Sequence, residues 1–382
     1  MVHIASEHAL LDDLADDILH EWAEHGRPTP DPGPVVLAST MPPGNPAVSR
    51  AARAWLAGLR ETTNAHPGLF GGLAGQLAGL RLLAAVHPPL ERAADTVATA
   101  LRRPGPDRGD EGFGFPDYDL VAGPAGVLLA HRVAAPRPDG VREIAAALAA
   151  LCVGGVEGLR CTAYEGHEKL AWMQGRVNAG LAHGVPGVAV ALAAALRAEV
   201  ATDEVRHALH LLGQWLVAQA HRDPRGILTW PSAGGVRPPG RALPRQAWCY
   251  GCPGAAWSLW ETGTALRRPS FTALAATAMR TLSDNYAEDF HLYGERPSDR
   301  LAVCHGAAGV LAVADAFTTH ADLHETATLR RRLSGYLCAR GDELIDLART
   351  DMSVLTGAAG ALAALRTAAG APRDWLPVIG LR

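Results

Sequence analysis

The chain has 382 residues, 48% of them hydrophobic, enough to bury a large core and to permit one large domain or two. Its net charge is −4 with acids and bases interspersed, which argues against a nucleic-acid surface or a polybasic membrane patch. Alanine, leucine and glycine dominate, aromatics are 5% and β-branched runs are scarce, so closely packed helices are expected.

Residues 1–25 carry Glu7, Asp12, Asp13, Asp16 and Asp17, unlike a signal peptide. They predict an amphipathic helix with Leu10, Leu11, Leu14, Ile18 and Trp22 on one side. The longest apolar run, near Val185–Leu196, is too short to span a bilayer. A cytoplasmic protein follows, and its six cysteines (152, 161, 249, 252, 304 and 338) are then expected as thiols or metal ligands rather than disulfides.

Beyond the first helix the chain repeats. A Gly-x-[Ala/Pro]-Gly turn occurs at Gly72–Gly75, Gly123–Gly126, Gly184–Gly187, Gly251–Gly254, Gly306–Gly309 and Gly357–Gly360, with spacings of 51, 61, 67, 55 and 51 residues. Amphipathic helices are predicted ahead of the turns, at about Pro46–Arg60, Leu90–Arg103, Val141–Cys152, Asp203–His221, Phe271–Glu288 and Thr326–Ala339. Each turn leads into a nearly all-apolar run, such as Val188–Leu196 or Val310–Phe317. Apolar helices must be buried, whereas those with a polar face can lie outside. The alternation predicts an all-α, α/α toroid in a single domain over residues 1–382, with the turns gathered at one mouth. The N-terminal helix supplies a seventh outer element, but no seventh glycine turn is found. Pro/Gly-rich stretches at Gly26–Pro46, Pro104–Pro116 and Asp223–Pro244 read as rim loops, with a short strand at Gly226–Trp230.

Two turns carry metal-binding chemistry. Cys249 and Cys304 both stand two residues before the first glycine of their turns, where other repeats have Val121, Ala182 and Leu355. With His305 they offer two sulfurs and a nitrogen, the ligand set of a catalytic zinc with one open position. Cys252 leaves two alternatives, a closed Cys₃His site or a redox dithiol, although its place inside the turn is filled elsewhere by Leu73, Pro124, Val185, Ala307 and Ala358. His183 shares the repeat position of Tyr250 and His305, where an imidazole can act as general acid or base. Asp119, four residues before its turn, is a loop or capping aspartate or a carboxylate that orients His183. Arg245 precedes Cys249 by four residues, as a cation near the site or a solvated surface group. Tyr250 is a second proton donor or a pocket wall. Gly112-Phe113-Gly114 carries no recognisable signal.

These stretches resemble the lanthipeptide (lantibiotic) cyclases, the LanC-like family. The likeness rests on Tyr118-Asp119-Leu120-Val121-Ala122-Gly123-Pro124-Ala125-Gly126, Leu181-Ala182-His183-Gly184-Val185-Pro186-Gly187, Arg245-x-x-Trp248-Cys249-Tyr250-Gly251-x-Pro253-Gly254 and Cys304-His305-Gly306-x-Ala308-Gly309, and its turns cover nearly the whole chain. The resemblance implies an α/α toroid around a zinc ion held by Cys249, Cys304 and His305, with His183, Asp119, Arg245 and Tyr250 as active-site residues. It implies addition of cysteine thiolates to dehydroalanine or dehydrobutyrine in a dehydrated precursor peptide, giving (methyl)lanthionine thioether rings, with a separate dehydratase and an exporter as further partners. No long N-terminal kinase, lyase or dehydratase region and no SH2-like insertion is seen, so a free-standing cyclase is expected. Glutathione addition to dehydrated residues, a prenyltransferase-like zinc toroid and a zinc-stabilised peptide-binding scaffold are the competing readings.

Overall fold

The computed structural model describes residues 2–42, 44–61, 66–101, 112–134, 140–200, 202–234 and 245–382. Parts of the predicted rim loops, at 104–111 and 235–244, lie outside them. In chain order the helices are α1 (Val2–His25), α2 (Gly33–Ser39), α3 (Pro46–Glu61), α4 (Leu73–Ala84), α5 (Glu91–Leu101), α6 (Pro124–Ala130), α7 (Val141–Ala150), α8 (Val185–Arg197) and α9 (Asp203–Gln219). There follow α10 (Cys252–Leu266), α11 (Pro269–Asn285), α12 (Glu288–His291), α13 (Pro297–Leu301), α14 (Ala307–His320), α15 (Glu325–Cys338), α16 (Gly341–Ala348) and α17 (Ala358–Ala368). A two-residue hairpin pairs β1 (His221–Arg222) with β2 (Leu228–Thr229), so the expected strand is shorter than Gly226–Trp230.

The helices form an α/α toroid. α2, α4, α6, α8, α10, α14 and α17 make the inner ring, each against the next, with α17 packing back on α2. Six of them begin at the glycine turns. The reason for the turn's last glycine is steric. A Cβ on Gly75, Gly126, Gly187, Gly254, Gly309 or Gly360 would lie 1.9–2.4 Å from the carbonyl oxygen six residues upstream. Only bare Cα atoms let the incoming chain fold so tightly over the first helical turn. The inner helices are buried nearly all round, as their composition requires. α1, α3, α5, α7, α9, α11 and α15 form the outer layer; all but α1 follow an inner helix and pack against it.

The seventh inner helix is α2, which the glycine pattern did not reveal. It enters through Asp31-Pro32-Gly33-Pro34, and its residues Gly33 to Ala38 are buried. At the mouth the turns are joined by backbone hydrogen bonds: Leu69 N–H to Val121 O, Leu120 to Ala182, Leu181 to Cys249, Cys249 to Cys304, and Cys304 to Leu355, at 2.8–3.4 Å. Val354 N–H continues the series but donates to Asp31 Oδ1 at 2.9 Å, which also accepts Gly33 N–H at 2.9 Å. A side-chain carboxyl thus closes the ring where the seventh turn has no matching carbonyl. The lumen is filled: Trp248 and Trp257 donate their indole N–H groups to the carbonyls of Ile379 and Gly380, each at 2.9 Å.

Candidate metal centre and active site

The turns before α10 and α14 bring Cys249, Cys304 and His305 together. One ligand atom from each lies within 4.8 Å of the others. The Cys249 turn is tight: its Gly251 alone among the six leading glycines has a left-handed φ, +85°, while Gln246 Oε1 caps the Cys252 N–H at 2.7 Å. That cap sets Cys252 as the first residue of α10, fully buried, and it is not part of the three-residue cluster. Burial pushes its thiol up. Neither the four-ligand nor the dithiol alternative receives support from this placement.

The cluster is electrostatically suited to a cation. Burial pushes the Cys249 thiol up, while hydrogen bonding to Cys249, then to His305, pulls Cys304 down. His305 is raised by its hydrogen bond to Cys304, whose Sγ lies 3.8 Å from Nε2. Two sulfurs and one imidazole at this spacing match the soft, compact donor set of zinc, whose bonds to S and N are about 2.3 and 2.0 Å. The residues therefore fit that ion.

His183 and Asp119 come from the adjacent turns before α8 and α6. His183 Nδ1 is 2.6 Å from Asp119 Oδ2, and Asp119 is fully buried. The other carboxyl oxygen, Oδ1, accepts the N–H groups of Ala122 and Gly123 at 2.7 and 2.9 Å. One oxygen holds the turn and the other holds the imidazole, leaving Nε2 for chemistry. His183 is fixed further by Phe115, stacked on its ring with centroids 4.6 Å apart, and by Tyr118, whose hydroxyl donates to the His183 carbonyl at 2.9 Å.

Arg245 is placed differently from a free cation. Its guanidinium donates to the carbonyls of Asp299 (2.9 Å), His305 (3.3 Å) and Tyr293 (2.8 Å), and it lies over the Tyr293 ring at 3.8 Å. Arg245 thus fastens the 293–305 segment, including the backbone of His305. Tyr250 accepts a hydrogen bond from Asn178 Nδ2 at 2.9 Å. Burial pushes its phenol up.

Phe115, Tyr118 and Asn178 were not singled out by sequence reasoning as parts of the site. Tyr118 stands inside a noted motif without an assigned role, Asn178 lies three residues before the Leu181–Gly187 motif, and Phe115 follows the Gly112-Phe113-Gly114 stretch that carries no signal. Their roles arise from contacts made 65 to 72 residues away, which no local pattern encodes.

A family model described as "Lanthionine synthetase C-like protein" matches residues 44–376. No curated protein sequence matches the chain. Among solved structures, nisin cyclase aligns with a TM-score of 0.77 at 16% identity, covering 96% of each chain, a likeness of fold. No helix among the described residues is long and apolar enough to cross a membrane.

Proposed function

The chain belongs to the lanthionine synthetase C-like family, and on that premise we propose that it is a zinc-dependent lanthipeptide cyclase. The substrate is a precursor peptide carrying dehydroalanine or dehydrobutyrine and cysteine, and the product is a thioether ring. The observation that carries this reading is the meeting, at one mouth of the toroid, of a two-sulfur, one-nitrogen cluster with a buried carboxylate–imidazole pair. We take the chain as one domain, supported by a single core cluster running from Leu11 to Leu381.

Cys249, Cys304 and His305 would hold the ion, which when bound supplies a Lewis acid that lowers the pKa of a coordinated thiol. The peptide thiol gives up its proton to solvent, and its sulfur adds to the β-carbon of the dehydro residue. The alkene electrons move onto the amide carbonyl, giving an enolate. His183 Nε2 then delivers a proton to the α-carbon, so the addition is balanced overall. Asp119 keeps the imidazole oriented and offsets its charge. Arg245, through its three carbonyl contacts, holds the backbone of His305 in place.

The test is His183→Ala with metal content measured alongside. The account expects zinc to be retained and stereoselective ring closure on a dehydrated peptide to be lost. Unchanged stereoselective cyclisation refutes the proton-delivery role. Transfer of glutathione to dehydrated residues without ring formation points to the related thiol-adding activity instead.

A further inference from the structure

The enolate needs a hydrogen-bond donor, and the three N–H groups of Arg245 that make contacts are given to Asp299, His305 and Tyr293. We propose that Tyr250 O–H is the donor to the developing enolate oxygen, and that Asn178 is the positioning residue that sets its direction. The proposal rests on the cyclase reading and names the group that stabilises its transition state.

The polarity follows from the hydrogen bonds of Asn178, which is completely buried. Its Oδ1 accepts the Gly180 backbone N–H at 2.8 Å, and a backbone N–H can only donate. The amide is thereby fixed in one orientation, with Nδ2 toward Tyr250 Oη at 2.9 Å. An amide N–H can only donate, so the phenol oxygen is the acceptor in this contact. The phenol's own hydrogen must go elsewhere. Tyr250 directly follows Cys249 in the turn before α10, is only half-buried, and lies against Gly180 of the turn that carries His183, so its phenol belongs to the same mouth. The O–H is therefore available to a substrate oxygen, and the accepted hydrogen bond strengthens it as a donor.

The ring is held as firmly as the hydroxyl. A Cβ on Gly180 would lie 2.4 Å from Cys249 O and 2.6 Å from the Tyr250 ring carbons Cδ1 and Cε1. Only glycine allows the phenol to lie against the chain here. Leu181 N–H donates to Cys249 O at 2.8 Å, completing a clamp of Asn178, Gly180 and Leu181 on Cys249-Tyr250. The donor is preorganised, as stabilisation of developing negative charge requires. No proton is transferred: the phenol stays protonated throughout, and the α-carbon proton comes from His183.

A double-mutant cycle tests this with the zinc-loaded full chain and a dehydrated, cysteine-containing peptide. Tyr250→Phe is expected to lower kcat by about 10²-fold, with little change in KM. Asn178→Ala should lower kcat by a similar or smaller factor, and the double variant should fall no further than Tyr250→Phe. Multiplicative losses, or wild-type kcat in Tyr250→Phe, overturn the proposal. If Asn178→Ala does not fold, Asn178→Ser, with a smaller polar group, takes its place in the cycle under the same criteria. A second readout needs no turnover. The chain has six tyrosines, so in protein labelled with ¹³Cζ-tyrosine the resonance lost in Tyr250→Phe identifies Tyr250. It should shift in Asn178→Ala; an unmoved resonance contradicts the hydrogen bond. A wild-type protein that forms no thioether fails at the cyclase reading itself, an outcome distinct from a cyclising wild type whose Asn178 variants behave independently of Tyr250.

Discussion

Replacing Asp31 with alanine tests how the ring of inner helices is closed. Asp31 Oδ1 accepts two backbone N–H groups, from Gly33 and from Val354, and the residue is 7% exposed. Alanine leaves both donors without a partner. An orphaned buried N–H costs roughly 1–3 kcal/mol, so the variant should lose about 2–6 kcal/mol. At roughly 2 cal/mol/K of unfolding entropy per residue, this corresponds to a Tm lower by about 3–7 °C. Asp31→Asn keeps an accepting oxygen and should be far milder. The pair also separates on pH. Burial raises the Asp31 carboxyl from 3.8 to about 7, so the folded state prefers the protonated acid. The sign is then fixed: the contribution is full below about pH 4 and is lost as pH rises through about 7. The loss is on the order of 4 kcal/mol across that window. Asp31→Asn has no such slope, so the stability difference between it and wild type should shift in its favour from pH 4 to pH 8. Denaturant unfolding at several pH values reads both effects. A cost below about 0.5 kcal/mol for Asp31→Ala, or a wild type that gains on Asp31→Asn as pH rises, refutes the reasoning.

Gly309→Ala should be severely destabilising, by several kcal/mol, because its Cβ would stand 1.9 Å from Val303 O. Gly335→Ala, within α15 with nothing inside 4 Å, should instead stabilise by about 0.5–1 kcal/mol; thermal melts compare the two. Arg245→Lys keeps the charge but cannot reproduce the three-carbonyl clasp, so zinc affinity measured by competition with a chelator should fall about 10- to 100-fold. Phe115→Leu removes the ring stacked on His183 and should lower kcat about 10-fold with zinc retained, since a loosened imidazole is less often in line with its target; an unchanged kcat shows that Asp119 and Tyr118 position His183 without the stacked ring.

The toroid was legible in the sequence because its cause is local. Each last glycine answers a clash with a carbonyl only six residues away, so the pattern survives as a four-residue word. Cys249 and Cys304 were legible for the same reason, since equal offsets from equal turns place them at equivalent points of the ring. The seventh inner helix was not, because Asp31 solves its turn with a side chain reaching a backbone 323 residues away. Arg245 shows the other limit. Its spacing from Cys249 marked it as a neighbour of the site, but whether its donors face the substrate or the protein depends on the carbonyls of the 293–305 segment. Asn178 is similar: it stands only three residues before the motif around His183, yet its chemistry depends on a phenol 72 residues later.

The central claim is that this mouth joins peptide thiols to dehydrated residues. It is tested most directly by incubating the zinc-loaded protein with a dehydrated, cysteine-containing precursor, then alkylating free thiols and measuring mass. The account predicts loss of alkylatable thiols with no change in peptide mass, abolished when the metal is removed or when Cys304 is replaced by alanine. Thiols that remain as alkylatable as in the protein-free control contradict it.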